Sequence, residues 1–278
     1  MQSSDFYANI KRRTLPNAYI AVLSFLIFSS PTFAKKKNGF VSLFNGKDWT
    51  GWNLKIRSGD EELAKKVFAI ENGMVHVFKN FPENYELNTK KNSTHGLFYT
   101  QKRYSKFIFR FEYKWGKNIC NNFDQFQYDA GMYYHVYNDA IWPKGIEYQV
   151  RYDNTTNTNH TGDYWAAGTT FQWYADANGK FLLPKDGGIA QPIKNGEHLA
   201  LAKAKYNALN NKWNKCEIIV MGDKYSIHKL NGVIVNMATN LSVSKGIIGL
   251  QAETAEIYYR KIEIKELNKF IPMEKFIQ

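Results

Sequence analysis

The stretch Gly145-Ile146-Glu147-Tyr148-Gln149-Val150-Arg151-Tyr152-Asp153 constrains the fold more than any other. Apolar Ile146, Tyr148 and Val150 alternate with polar Glu147, Gln149 and Arg151. That period of two belongs to a half-buried strand, with one face on a core and the other carrying Glu, Gln and Arg. The polar face is then either a solvated back or the floor of a polar site. Its surroundings favour a site: Ala130 to Val136, upstream, is a second strand-like run bearing His135, and His160-Thr161-Gly162-Asp163-Tyr164-Trp165 follows downstream.

The rest of the chain repeats the strand pattern. Phe107, Phe109, Phe111 and Tyr113 form one face of a run whose other face is Ile108, Arg110, Glu112 and Lys114. Gly222-Asp223 and Asn231-Gly232 are tight-turn signals between apolar runs, which predicts consecutive hairpins. Ile247 to Gln251 and Glu256 to Lys265 supply two closing strands. Helical periodicity is confined to Glu61 to Lys66 and a weak candidate from His198 to Ala208. Many short strands with little helix predict an all-β fold, a two-sheet antiparallel jelly-roll sandwich. Its core is expected to hold Phe107, Phe109, Phe111, Ile146, Tyr148, Val150, Ile218, Val220, Ile248 and Leu250.

Residues 1 to 34 read as a secretory signal: Lys11, Arg12 and Arg13 precede an apolar run from Ala18 to Phe28, and Thr32-Phe33-Ala34 resembles a cleavage site. The apolar run is too short to span a bilayer comfortably. A single jelly-roll domain over 35 to 278, secreted or periplasmic and without a membrane span, is the expectation. Without the leader's one Asp and three basic residues, the net charge falls from +12 to +10. The basic residues are scattered and no nucleic-acid motif is present, so nucleic acid is not an expected partner. Cys120 and Cys216 have no zinc-site spacing; an exported protein could join them, but Cys216 shares a face with Ile218 and Val220, so a buried free thiol is expected there.

Several separated segments, in order, resemble the 3-keto-disaccharide hydrolase domain family. They are Gly39 to Trp52, Gly96 to Thr100, Phe111-Glu112-Tyr113, Ala130 to Tyr134, Gly145 to Gln149, His160 to Tyr164, Trp213-Asn214 with Glu217-Ile218, Leu230-Asn231-Gly232, Gly246 to Gln251, and Tyr259 to Ile262. No single segment is specific; order and spacing together are. The resemblance implies a concanavalin-like jelly roll acting on glycosides oxidised at sugar carbon 3, with a divalent metal in some members and no organic cofactor. A ketone at carbon 3 acidifies the carbon 2 hydrogen, so a base of ordinary strength removes it and the aglycone leaves carbon 1.

Glu147, His160 and His135 are the expected catalytic residues, with Glu147 and His160 as expected metal ligands. Gln149, Arg151, Tyr133, Asp163, Tyr164, Trp165, Glu112 and Glu253 are expected to bind the oxidised glycoside or another carbohydrate. Arg151 otherwise reads as an ion-pair partner of Glu112 or Asp153. Two places depart from the family pattern. Leu250-Gln251-Ala252-Glu253-Thr254 stands where members often read Leu-Gln-Asp-His-Gly, which replaces an Asp and a His expected to face the cleft. Asp129-Ala130-Gly131, with His135, stands where Asn-Ser-Gly and a downstream Arg are usual. Neither a nucleophile elbow nor the Glu-x-Asp-x-x-Glu strand of a retaining glucanase is present. Three functions therefore stand side by side: cleavage of 3-keto-glycosides, a non-catalytic carbohydrate-binding sandwich, and a structural module of an exported complex.

Overall fold

Alternation of apolar and polar residues builds two antiparallel sheets that bury their apolar faces against each other. The structure is a computed structural model and describes residues 37–86, 93–121, 128–192, 196–201 and 205–278. The expected signal segment, 1 to 34, lies outside them. One sheet runs Ile189–Ala190, Gln172–Ala175, Val233–Thr239, Tyr225–Leu230, Asn214–Met221, Lys106–Ile119, Ala255–Glu266, Met74–Val77, Phe68–Glu71, with Val41–Ser42 paired onto Ala255–Glu266. The other runs Gly196–His198, Tyr164–Ala167, Gly145–Asp153, Tyr128–Val136, Ile247–Ala252, Gly96–Thr100, Trp52–Ile56, with Thr158–Asn159 beside Gly145–Asp153. This is the jelly-roll sandwich that the alternation predicts.

All ten expected core residues are buried between the sheets. Phe111 meets Tyr148 edge to face across the sandwich, ring centroids 6.1 Å apart, a geometry that suits the ring quadrupoles. The first hairpin joins Asn214–Met221 to Tyr225–Leu230. The second turns at Asn231 and Gly232, whose φ angles of 49° and 87° are those of a primed turn. Cys120 and Cys216 are free and buried, as expected for Cys216.

Helix is limited to one short α-helix, Glu61–Val67, capped by the Asp60 side chain accepting from the Leu63 N–H at 2.9 Å. Among the described residues of the weak helical candidate from His198 to Ala208 there is no helix: Gly196–His198 is an edge strand, and what is described beyond it is irregular. No helix among the described residues is long and apolar enough to cross a membrane.

Candidate active site

Because the strand Gly145–Asp153 gives Ile146, Tyr148 and Val150 to the core, Glu147, Gln149 and Arg151 face outward from the eight-stranded sheet. Cross-strand register sets their neighbours on Tyr128–Val136: Tyr133 opposite Glu147, Gly131 opposite Gln149, Asp129 opposite Arg151. One strand further, Gly249 stands opposite Tyr133. Gln251, two residues on, shares the outward face of Gly249, and so does Glu253 just past the strand end. Glu147, Gln149, Arg151, Gln251 and Glu253 are nevertheless buried. The loop after Val136 folds over part of this face. The Tyr99 hydroxyl donates to the Ala140 carbonyl at 3.1 Å, and Trp142 stacks on His95 at 4.1 Å between ring centroids.

Glu147 lies at the centre. A side-chain carbon on Gly131 would stand 1.8 Å from Glu147 Oε1 and 2.8 Å from Gln251 Oε1, so the carboxyl rests in a notch that only glycine leaves open. Burial pushes its pKa up to about 8, against the Tyr133 hydroxyl, which hydrogen-bonds the carboxylate. Buried acceptors on this face lack hydrogen-bond partners among the described residues: Asp129 Oδ1, Glu147 Oε1, Gln149 Oε1 and Gln251 Oε1. A folded protein rarely leaves so many adjacent acceptors unmatched unless water or a ligand supplies the donors, so this face is built to be met by polar molecules. Burial also raises Asp129 to about 7 and Glu253 well above the usual carboxylate range.

Beside this centre is an ion-pair cluster. Arg151 Nη2 bonds Glu197 Oε1 and stands 3.7 Å from Asp163 Oδ2. His160 Nδ1 meets the same Asp163 oxygen at 3.0 Å, and Asp163 Oδ1 accepts from the Ala200 N–H at 2.6 Å. Arg151 thus pairs with Glu197 and Asp163, not with Glu112 or Asp153. Trp165 stands directly across from both Glu147 and Glu197 and is 39% exposed, which leaves an aromatic face at the rim.

Three expected residues point elsewhere. His135 is taken out by a bulge: Tyr134 and His135 together oppose Ile248, with His135 at φ 53°. The extra residue displaces the alternation, and the ring lies against Phe107 with Nε2 3.4 Å from the Ser105 carbonyl. Tyr164 alternates to the core, where it stacks on His228 at 3.8 Å. Glu112 is on the other sheet, held by Arg260 at 2.7 Å and Lys261 at 2.9 Å. Ala252 also faces the core, so of the two altered family positions only Glu253 reaches the site. Asp129 and Gln251 were legible as candidates, since they alternate with Gly131 and Gly249. Glu197 sits in a three-residue edge strand with no pattern to mark it.

The expected metal pair, Glu147 with His160, is not the group that has ligand spacing. Among the described residues that group is His160, Asp163 and Glu197, whose ligand atoms lie within 4.8 Å of one another. The Arg151 guanidinium already neutralises two of its members, and a divalent ion there would lie against that positive charge. As arranged, these residues do not fit a divalent ion.

No curated protein sequence matches the chain. Two solved structures described provisionally as glycosyl hydrolases from Parabacteroides distasonis are similar. One has TM-score 0.50 and 16% identity, covering 83% of this chain and 100% of that one. The other has TM-score 0.49 and 21% identity, covering 83% and 94%. A carbohydrate-binding module from Bacillus subtilis aligns at TM-score 0.39 and 11% identity over 84% and 100%. Identities this low speak to the fold alone. The family model for the 3-keto-alpha-glucoside-1,2-lyase-like domain matches residues 39–265. With that match spanning nearly all of the described sandwich, the chain belongs to the 3-keto-alpha-glucoside-1,2-lyase-like domain family.

Proposed function

We propose that the protein cleaves glycosides bearing a ketone at sugar carbon 3, by removal of the carbon 2 proton and loss of the aglycone from carbon 1. The observation that carries this reading is Glu147, a carboxyl held out of water in the Gly131 notch among unmatched acceptors. Desolvation makes a carboxylate a stronger base, and the ketone makes the carbon 2 proton acidic enough for such a base to take. The acceptors of Asp129, Gln149 and Gln251 suit the hydroxyls of a sugar, while Arg151 and the His160–Asp163 pair provide donors for the keto oxygen and its developing charge. Trp165 offers a stacking face to the aglycone. Export to the periplasm or beyond, from the amino-terminal leader, belongs to the same proposal.

The test is incubation with a panel of 3-keto-glucosides, with and without a chelator, followed by product analysis. The expected result is release of the aglycone and a sugar product unsaturated between carbons 1 and 2, or its hydrate. Insensitivity to the chelator is expected, given Arg151 in the ligand cluster. Binding of a glycan without turnover would favour the second reading, a carbohydrate-binding sandwich, to which the amides Gln149 and Gln251 and the exposed Trp165 are also suited.

A further inference from the structure

A glycoside oxygen leaving carbon 1 needs a proton, because an alkoxide is a poor leaving group. Glu147 cannot both take the carbon 2 proton and hold one ready for that oxygen. Where loss of the carbon 2 proton and departure of the oxygen overlap, a second acid facing the same substrate is required. Glu253 is the carboxyl placed to be that acid. The strand Ile247–Ala252 sends Leu250 and Ala252 to the core, which turns Gln251 and Glu253 to the outer face. Glu147 leans across Gly131 toward this same strand, with Gln251 Oε1 beside the notch.

The turn carrying Glu253 is fixed from both sides. Its carbonyl accepts from Asn121 Nδ2 at 2.7 Å. Next to it, the Thr254 N–H donates to the Asp129 carbonyl at 3.2 Å, and the Asp129 N–H donates to Thr254 Oγ1 at 2.6 Å. These bonds hold the backbone around Glu253 beside that of Asp129 on a neighbouring segment, close enough for the Asp129 charge to act on Glu253.

We propose that Glu253 is the catalytic acid of the reaction proposed above, and rests on that reading: it protonates the departing aglycone oxygen while Glu147 takes the carbon 2 proton. The electron pair of the carbon 2–hydrogen bond forms the enolate with carbon 3. As the ketone reforms, that pair moves into a carbon 1–carbon 2 double bond and the carbon 1–oxygen bond breaks. The oxygen takes the Glu253 proton and leaves as an alcohol. Glu147 ends protonated and Glu253 ionised, and exchange with water resets both without any oxidant or reductant.

Asp129 is what keeps Glu253 supplied with a proton. Two buried carboxyls side by side do not both ionise. Burial comes first in raising Glu253, followed by the charges of Asp129 and Glu147, with Arg151 and Arg57 opposing. Tyr133 and Tyr259 also feel its charge, and their hydroxyls stay protonated.

Leaving-group chemistry isolates this role. A nitrophenolate departs without help, whereas methoxide does not. Full-length wild type and Glu253→Gln are compared on 4-nitrophenyl and methyl 3-keto-glucosides, with circular dichroism checking the fold. General acid help is typically about 100- to 10,000-fold, so the variant should lose at least about 100-fold on the methyl glycoside and remain within about threefold on the nitrophenyl one. Equal losses on both, or loss on neither, overturn Glu253 as the acid while the proposed reaction stands. A wild type that cleaves neither overturns both. Should Glu253→Gln fail to fold, Asp129→Asn serves instead. Without that neighbouring charge Glu253 ionises more readily, so the alkaline limb for the methyl glycoside alone should move to lower pH. An unmoved limb, or limbs that move together, overturns the proposal.

Discussion

Both sheets turn charged residues outward, but they treat them in opposite ways. On the ten-stranded sheet the buried or half-buried acids Glu112 and Glu217 each have cations: Glu217 meets Arg110 at 2.5 Å and Lys229 at 3.5 Å, and Glu112 meets Arg260 and Lys261. His76 is clamped between Glu71 at 2.7 Å and Glu256 at 2.6 Å. A cavity of about 420 Å³ opens there, lined by Arg110, Glu112, Lys215, Glu217, Lys261 and Glu263 among others, yet its acids Glu112 and Glu217 are already paired. On the eight-stranded sheet the acids Asp129, Glu147 and Glu253 crowd together out of water, and acceptors stay unmatched. A face that satisfies its own charges serves the fold; a face that leaves them strained and dry is arranged for something that is added later.

Equivalent substitutions on the two faces should break or uphold this contrast most sharply. Glu147→Gln keeps the shape of the side chain and removes its basicity, so turnover of a 3-keto-glucoside should fall by about 100- to 10,000-fold. Glu112→Gln should leave turnover within about twofold of wild type, since its side chain faces away from the site. Steady-state kinetics on both variants would decide it, and a large loss from Glu112→Gln would place the chemistry on the wrong sheet.

The two faces should also respond to pH with opposite signs. Glu147 is raised from 4.5 to about 8 by burial, so the native state holds its proton more tightly than the unfolded chain. Its contribution to stability is full below pH 4.5 and is lost as pH rises through about 8. Glu256 is the reverse. Burial alone would raise it, but hydrogen bonds from His76, the Lys117 N–H and Tyr258 override this and hold it at about 2. Its contribution is present above pH 4.5 and is lost as pH falls through about 2. Urea unfolding across pH should therefore show Glu147→Gln flattening the alkaline side of the stability curve and Glu256→Gln the acid side. Identical curves for the two variants would remove the distinction.

The smallest effect concerns the rim. Trp165→Ala should weaken binding of aryl 3-keto-glucosides by about 0.5–1.5 kcal/mol, the scale of an aromatic contact, and leave methyl glycosides nearly unaffected. Equal KM changes for both substrates would mean that Trp165 does not meet the aglycone.

Period-two alternation read one residue at a time was enough to assign Glu147, Gln149 and Arg151 to one face, because a strand with an apolar core on one side has no freedom to slip register. The Asn231-Gly232 turn and the buried state of Phe107, Phe109 and Phe111 follow from equally local rules. The expectation for Tyr164 at the site comes instead from the His160 to Tyr164 segment of the family pattern, which carries no strand phase, because the strand Tyr164–Ala167 begins only at Tyr164. Alternation did lead His135 astray, because one extra residue at the bulge changes which way the ring points.

What the amino-acid order determined by itself is the part governed by neighbours in sequence: two sheets, their hairpins, the core face of each strand, and a polar face built around Glu147. What only the tertiary structure decided is the company that face keeps. Asp129, Gly131, Gln251, Glu253 and Glu197 come to Glu147 and Arg151 from separate strands or segments through cross-strand register, while Glu112 is carried off to the other sheet. Burial and mutual charge, which raise these carboxyls above the ordinary carboxylate range, exist only once those strands are side by side.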